Sequence, residues 1–416
     1  MRITLVAFGT RGDVTPLVAL GSRLRAAGHR VQLVTHAEFE AFVTRHGIDF
    51  HSIDGSYQQF VATQQGRRAL GVPRNTPLGL TGILHPFRGC AEAVFRTSWH
   101  ACADADAIVS SPLASIVATS IASAKNVPLA VASPIPPLGS RYLPAPVFPP
   151  LPLGPAYNSL THFLSRVLVR RGASQVLDAW SRAAREMAPG SHRPVPTLTL
   201  VAVSPVLVPR PLDWPETTHV TGYWFLPGES ARTIPPEVRR FVEAGPPPVC
   251  LGFGSMADDN PQELRAVVLD TLERLNSRAV VVGGSGGALH GFGNSDRICE
   301  VPFVDYDWLF RNVSVVVHQG GAGTAAFCLI AGVPQVVVPY CLDHTFWAWR
   351  LRQLGVAPPS ITRHRLTASA MSDAIRQAIE NPSFRTRAAE VAPAIAAENG
   401  LERALQLLED HFTRPV

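Results

Sequence analysis

Four stretches of this chain place reactive or ligand-binding side chains directly after an apolar run, where a β-strand would end. The run Ser314-Val-Val-Val-His318-Gln-Gly-Gly-Ala-Gly-Thr324 stops a buried strand at a histidine and opens a helix through glycines. Backbone N–H groups at such a helix start converge on one point that the helix dipole makes attractive to anions. His318 and Thr324 add side-chain donors, and a diphosphate is the natural guest. The same pattern also serves dinucleotides or tight packing. Gly9-Thr-Arg-Gly-Asp13 puts a carboxylate beside another helix start. Alone it reads as an N-terminal turn aspartate, but opposite a phosphate site it can take the proton of a substrate hydroxyl. Gly252-Phe-Gly-Ser255 lets backbone approach a ligand and adds a hydroxyl, with an ordinary tight turn as the competing reading. Asp343-His344, again at a strand end, suits recognition of vicinal sugar hydroxyls, although Asp343 also reads as a helix cap.

These groups need a scaffold, and the periodicity supplies one. Strands are expected at Ile3–Phe8, Val31–Thr35, Ala107–Ser111 and Leu129–Ser133. A helix is expected over Pro16–Ala27, with Thr15 as its cap and Pro16 at its first position. The grammar restarts with strands at Pro248–Gly252, Ala279–Val282, Ser314–Val317 and Gln335–Val338, separated by helices at Pro261–Leu275 and Ala322–Ile330. Such alternation implies parallel sheets covered on both faces, with ligands beyond the carboxyl ends of the strands. The expected organisation is α/β, with two doubly wound Rossmann-like domains facing a cleft. An N-terminal domain spans 1–215, a linker 216–248, a C-terminal domain 249–395 and a final helix 396–416. The proline-rich stretch 134–155 must be a loop. In the helical stretch 160–187, Arg166, Arg170 and Arg171 read as a solvated face in preference to an interfacial one.

Composition narrows the classes. Hydrophobic residues make up 46% and charged residues 17%, a soluble globular balance. The net charge of +5 contains no basic run, so no nucleic-acid partner is expected. The six cysteines form no C-x-x-C pair and read as buried free thiols. The chain opens without a signal-like apolar segment, and a cytoplasmic location is expected. Peripheral membrane contact stays open, as does a monomeric or homodimeric state. Asp104-Ala-Asp106 and Asp305-Tyr-Asp307 match the D-x-D pattern of metal-dependent sugar transferases but lack its context, so no metal is expected. Gly283-Gly-Ser-Gly-Gly287 reads as a loop near the site. His29 and His36 read as helix-end and loop residues.

Taken in order, Gly9-Thr-Arg-Gly-Asp-Val-Thr-Pro16, Phe253-Gly-Ser-Met256, Asp307-Trp-Leu-Phe310, His318-Gln-Gly-Gly-Ala-Gly-Thr324, Ala331-Gly-Val-Pro-Gln335 and Asp343-His-Thr-Phe-Trp347 resemble the GT-B glycosyltransferases of family 1. The resemblance is nearest to the branch acting in bacterial antibiotic, rhamnolipid and sterol glycosylation, and it covers most of the chain. It implies an inverting, metal-independent transfer from a UDP- or dTDP-sugar to an apolar acceptor such as a natural product, lipid or sterol. The donor is a substrate, and no cofactor is implied. A bacterial source and a role in antibiotic biosynthesis belong to the same expectation.

By the resemblance Asp13 is the general base. Gly12 is a donor contact, Ser255, His318, Gly321, Ala322, Gly323 and Thr324 hold the nucleotide diphosphate, Phe303 stacks on the pyrimidine, and Asp343 with His344 reads the sugar. Phe87, Trp99 and Tyr142, in the N-terminal loops, are the acceptor candidates. His344 replaces the family's usual glutamine, and an imidazole cannot offer both a donor and an acceptor from one planar head. Galactose or a dTDP-deoxysugar is therefore open beside glucose. Tyr306 stands where relatives often carry His or Gln. A nucleotide-sugar epimerase of the same fold, a Rossmann dehydrogenase using Gly320–Thr324, and a non-catalytic nucleotide-sugar-binding protein are the competing classes. The acceptor-like loops, the helix that continues directly from Asp343, and the retained Asp13 weigh against them in turn.

Overall fold

The computed structural model describes residues 1–70, 76–190, 194–226, 234–284 and 286–414. Two parallel sheets organise them. The first holds β1 (Arg2–Val6), β2 (Arg30–His36), β3 (Asp49–Ile53), β4 (Ala107–Ser110), β5 (Leu129–Ser133), β6 (Thr197–Val201) and β7 (Thr218–Val220). The second holds β8 (Val249–Gly252), β9 (Ala279–Val282), β10 (Ile298–Val301), β11 (Val315–His318) and β12 (Gln335–Val337). Their orders are β3-β2-β1-β4-β5-β6-β7 and β10-β9-β8-β11-β12. Each order reverses direction once, between β1 and β4 and between β8 and β11. At such a reversal the connecting helices leave on opposite faces and open a crevice at the carboxyl edge of the sheet. All of the chemically able strand ends except that of β12 border one of these two crevices.

The central strands are apolar along their whole length, as strands buried on both faces must be. Val249–Gly252, Ala279–Val282 and Val315–His318 are buried at every position. The strands not foreseen from sequence, β3, β6, β7 and β10, are short, and all four carry polar residues that blur the alternation, as in Asp-Phe-His-Ser-Ile at β3.

Two boundaries differ from expectation. The first helix is Arg11–Ala26, capped at Thr10, so it begins more than a turn before Pro16. Pro16 is tolerated inside it at the cost of the one N–H that would have reached the Gly12 carbonyl. The stretch 216–248 is also more than a linker. It contains β7 of the first sheet and the helix Pro236–Glu243, whose Val238 and Val242 join the second domain's core. Residues 227–233 of that stretch, Ser285 and the last two residues lie outside the described set.

The lobes are joined at several points. A core shared between them collects Val201, Val203 and Leu207 with Ala325, Phe346 and Trp347. Arg350 Nε donates to the Leu207 carbonyl at 2.8 Å, and Arg67 Nε donates to Asp259 Oδ1 at 2.7 Å. The final helix Gly400–Phe412 returns to the first domain, burying Leu405, Leu408 and Phe412 beside Leu17 and Leu24. Glu402 on that helix takes Arg23 Nη2 at 2.7 Å, and Glu409 takes His29 Nε2 at 3.2 Å.

Candidate active site

Asp13 sits in the first turn of the helix that leaves β1, not in the loop before it. Its Oδ2 accepts from the Thr10 backbone N–H at 2.8 Å and from Thr10 Oγ1 at 3.2 Å. Gly9 adopts φ +132, and a Cβ there would lie 2.3 Å from Asp13 Oδ2, so no other residue fits the turn. Asp13 keeps partial exposure along the cleft wall. Its removal from bulk water nonetheless pushes its carboxyl up to about 6, and the charge of Asp343, in the other lobe, adds to the rise. The carboxylate of the leading lobe and the Asp343 loop of the trailing lobe thus lie within electrostatic reach of each other.

Behind this turn stands a residue the sequence reading placed in a loop. His36 is the last residue of β2 and is fully buried. Its Nε2 accepts from the Gly9 N–H at 3.1 Å, so its Nδ1 carries the proton and donates to the Gly55 carbonyl at 2.6 Å. Burial lowers its pKa, which keeps the ring neutral and this tautomer fixed. A histidine at the end of a strand adjacent to β1 was the available signal. Tyr57 packs edge-on to His36 and is near enough to Asp13 for that charge to raise its own pKa, after the larger effect of burial.

In the trailing lobe, Ser255 follows β8 and the glycine loop follows β11, on either side of the second crevice. The helix Ala322–Ala331 is capped by Gly321, and its first turn presents the N–H groups of Ala322, Gly323 and Thr324 without intrahelical partners. Gly323 is exposed, and Gly321, Ala322 and Thr324 are half-buried, so this turn remains open to a ligand. Gly320 has φ +95, and a Cβ there would strike the His344 carbonyl oxygen at 2.9 Å. Gln319 is 94% buried, and a Cβ on either Gly254 or Gly321 would come within 2.9 Å of its Nε2. Its Oε1 has no hydrogen-bond partner among the described residues. Gly284 backs the Ser255 turn, where a Cβ would meet the Gly254 carbonyl oxygen at 2.3 Å.

His318 departs from its expected role. It is fully buried, and both ring nitrogens are already engaged. Nδ1 accepts from the Gly320 N–H at 3.1 Å, which leaves the proton on Nε2, donated to Gln335 Oε1 at 2.9 Å. Burial, partly opposed by the Gln335 bond, drives its pKa down to about 4. In this geometry His318 is no side-chain donor to a phosphate. It shapes the turn whose backbone would do that work.

Asp343 stands at the N-cap position of the helix His344–Leu354 without a side-chain capping bond, and its carboxylate accepts from Trp347 Nε1 at 2.6 Å. His344 Nδ1 accepts from the backbone N–H groups of Tyr340 and Cys341 at 3.3 and 3.4 Å. Burial lowers its pKa, so the neutral ring keeps one further polar atom, an Nε2–H donor. Phe303 lies after β10 with 55% of its surface exposed, available for stacking. Tyr306 instead turns inward, stacked on Phe310 at 4.6 Å.

A buried ion pair not foreseen from sequence ties these loops together. Arg363 donates Nε and Nη2 to Asp258 Oδ2 and Oδ1 at 2.6 and 3.0 Å, and Tyr340 Oη donates to the same carboxylate at 3.0 Å. The bidentate fork joins the loop after Ser255 to the turn at Arg363, and Tyr340 ties both to the Asp343 loop.

Two acceptor candidates move out of the site. Phe87 is fully buried, 5.1 Å from Phe8 and 5.7 Å from Trp180, so it is a core residue with no surface to offer an acceptor. Trp99 packs against the same core, with Lys125 Nζ 4.7 Å above its ring. Tyr142 is 51% exposed and lines a surface cavity with Arg141 and His162. Both D-x-D pairs are structurally employed. Asp106 holds the Arg2 backbone, Asp305 caps the helix Tyr306–Arg311, and Asp307 pairs with Arg311.

Comparison with known proteins places the chain among glycosyltransferases. Residues 3–139 match the glycosyltransferase family 28 N-terminal domain, and residues 266–408 match the erythromycin biosynthesis protein CIII-like C-terminal domain. The chain is 31% identical over 425 residues to a sterol 3-beta-glucosyltransferase of Emericella nidulans, covering 98% of this chain and 30% of that protein. It is 32% identical over 423 residues to the sterol 3-beta-glucosyltransferase of Pichia angusta, covering 98% and 33%. It thus spans about a third of the length of these curated relatives. Among solved structures, the glycotransferase of kitacinnamycin superposes with a TM-score of 0.74 at 20% identity, covering 99% of both chains. The spinosyn rhamnosyltransferase in complex with spinosyn aglycone does so with 0.65 at 18% identity, covering 98% of this chain and 100% of the other. These likenesses show the GT-B fold. The sequence relatives named here are fungal and yeast sterol glucosyltransferases, which overturns the expectation of a bacterial antibiotic-biosynthesis protein.

Proposed function

We propose that this chain, as a member of family 1 of the GT-B glycosyltransferases, moves a sugar from a UDP- or dTDP-sugar to the hydroxyl of a lipid or sterol-like acceptor, with inversion and without a metal. The observation that carries the reading is an open helix start at Ala322 packed beside the Asp343–His344 turn, where a Cβ on Gly320 would meet the His344 carbonyl oxygen at 2.9 Å, with Asp13 near enough to feel the charge of Asp343. Asp13 takes the acceptor's hydroxyl proton as the oxygen attacks the anomeric carbon. The bond from that carbon to the diphosphate oxygen breaks, and the leaving charge is met by the N–H groups of Ala322, Gly323 and Thr324 and the hydroxyls of Thr324 and Ser255. A single displacement from the face opposite the leaving group inverts the anomeric centre. Donors fixed before the charge develops commonly contribute several kcal/mol.

His344 enters as a hydrogen-bond donor to the sugar, with Asp343 as the acceptor beside it. The sterol-like acceptor is supported by the fungal relatives, which are sterol 3-beta-glucosyltransferases, each about three times as long as this chain. The test is incubation of the protein with UDP- and dTDP-hexoses and a 3β-hydroxysterol, with chromatography for the glycoside and NMR for its anomeric configuration. Transfer with inversion, undiminished by a chelator, is the expected outcome. Release of free epimerised donor without acceptor, or retention of configuration, overturns the reading.

A further inference from the structure

The loop leaving the carboxyl end of β5 and the helix it feeds, Gly154–Gly172, are charged in one sense only. Between Asp106 and Asp178 there is no acidic residue, while Lys125, Arg141, Arg166, Arg170 and Arg171 all fall there. The helix buries one residue, Thr161. Its outward face carries Leu160, Phe163, Leu164 and Val167, exposed by 51, 54, 36 and 39%. Their i, i+3, i+4, i+7 spacing draws one continuous apolar stripe. Leu151 and Leu153, 48 and 64% exposed, lead into it. Six of the fourteen large apolar side chains exposed among the described residues therefore fall within residues 151–167. Scattered apolar groups need no explanation, but a stripe of this kind does.

Basic groups rim the stripe. At 100° per residue Arg166 and Arg170 lie along one flank, and Arg171 closes its end. Beside them a cavity of about 400 Å³ is lined by Arg141, Tyr142, His162, Arg166, Leu212 and Asp213. Asp213 is already committed to Ser140 Oγ at 2.8 Å and the Arg141 N–H at 2.7 Å. Leu212 is 82% exposed at the rim.

We infer that this face of the 154–172 helix lies on an anionic lipid bilayer, with the apolar stripe at the acyl boundary and Arg141, Arg166, Arg170 and Arg171 among the headgroup phosphates. Charge selects this occupant. A second copy docked face to face would set arginine against arginine with no acid to answer it, whereas an anionic surface neutralises the whole rim. Among the described residues no helix is long and apolar enough to cross a membrane, so the element lies on the bilayer. The loop starts at the same edge of the sheet as the Asp13 turn, which gives a membrane-dissolved molecule a short path to the cleft. The inference rests on surface chemistry and stands whether or not the cleft transfers sugar.

The experiment is co-sedimentation of the full chain with phosphatidylcholine vesicles, with and without phosphatidylserine. The protein is expected on the doped vesicles, with binding that falls as salt rises. Arg166→Ala with Arg170→Ala should weaken partition by about 25-fold, about fivefold for each arginine. Leu160→Ser with Phe163→Ser should weaken it by about tenfold or more. Both variants should keep the wild-type melting temperature and nucleotide affinity, because every substituted side chain is exposed. No retention on doped vesicles, retention by both variants equal to wild type, or equal salt-independent retention on undoped vesicles would overturn the inference. So would sedimentation showing a dimer that the Leu160/Phe163 variant converts to monomer, since the face would then belong to a second copy.

Discussion

Replacing Asp13 with asparagine separates a catalytic carboxylate from a helix-capping one, because the two roles move stability in opposite directions. Asn keeps an oxygen for the Thr10 N–H, now held at 2.8 Å, so the cap survives. What is lost is a charge in a place that disfavours it. With the carboxyl raised from 3.8 to about 6, the folded protein holds a proton that the unfolded chain has released across that interval. Stability therefore falls as pH rises from about 4 to 6 and stays lower above it. Asp13→Asn should stabilise the protein at pH 7 by about 1–3 kcal/mol and by little at pH 4. The same substitution should cost roughly 10²–10⁴-fold in transfer. In the wild type, kcat/KM for the donor should climb tenfold per pH unit up to an inflection near pH 6, where an unshifted aspartate would already be flat. At pH 5 roughly a tenth of the plateau rate remains, against about nine-tenths for an unshifted group. Thermal denaturation at the two pH values and a pH–rate profile supply the readouts. A variant that is less stable at pH 7, or a rate that stays level from pH 7 down to pH 5, would refute the reasoning.

The proposed anion pocket makes a different demand of its residues. Thr324→Val should lower nucleotide-diphosphate affinity about tenfold by calorimetry without moving the melting temperature, since a half-buried hydroxyl is removed and its shape is kept. His318→Ala should lower the melting temperature by several degrees and weaken nucleotide binding alongside it, because the Gly320 N–H and Gln335 Oε1 both lose their partner. The His318 pKa near 4 means that the ring makes no contribution to the pH dependence of binding between pH 5.5 and 8, and an inflection near 6.5 that His318→Asn removes would contradict this. Arg67→Ala should loosen the contact between lobes, and a double-mutant cycle with Asp259→Ala should return a coupling of about 1–3 kcal/mol for this largely buried pair.

What the sequence disclosed was chemistry written in backbone conformation. Glycines at Gly9, Gly254, Gly320 and Gly321 mark places where a Cβ would collide, and a run of apolar residues before each identifies the strand that delivers it. The two-sheet plan followed from the same runs. Side-chain direction was hidden, because it is decided by burial rather than by spacing. His318 and His36 both end strands, and each bonds the backbone N–H of a glycine in the turn that follows β11 or β1. From sequence one reads as a ligand contact and the other as a loop residue, yet they do the same work. Phe87 was misplaced for the related reason that an aromatic in an irregular stretch reads as exposed until the core that absorbs it is known. The Asp258–Arg363 pair spans 105 positions, and no local pattern announces it.

In the proposed reaction, the parallel between the two histidines would let the cleft bind a diphosphate without holding it too well. Neither ring is charged, since burial lowers the pKa of both. The pocket would thus offer the phosphates backbone N–H groups and hydroxyls, with no imidazolium behind them. Partial charges at a helix start are worth about 0.3–1 kcal/mol each when exposed and gain force only when the cleft excludes water. Such a pocket responds most to the charge that develops on the leaving oxygen and less to the ground-state donor, which is the difference that accelerates transfer. A histidine that titrated near neutrality would grip substrate and product alike. Burying His318 behind its own turn turns it from a binding group into the template for one.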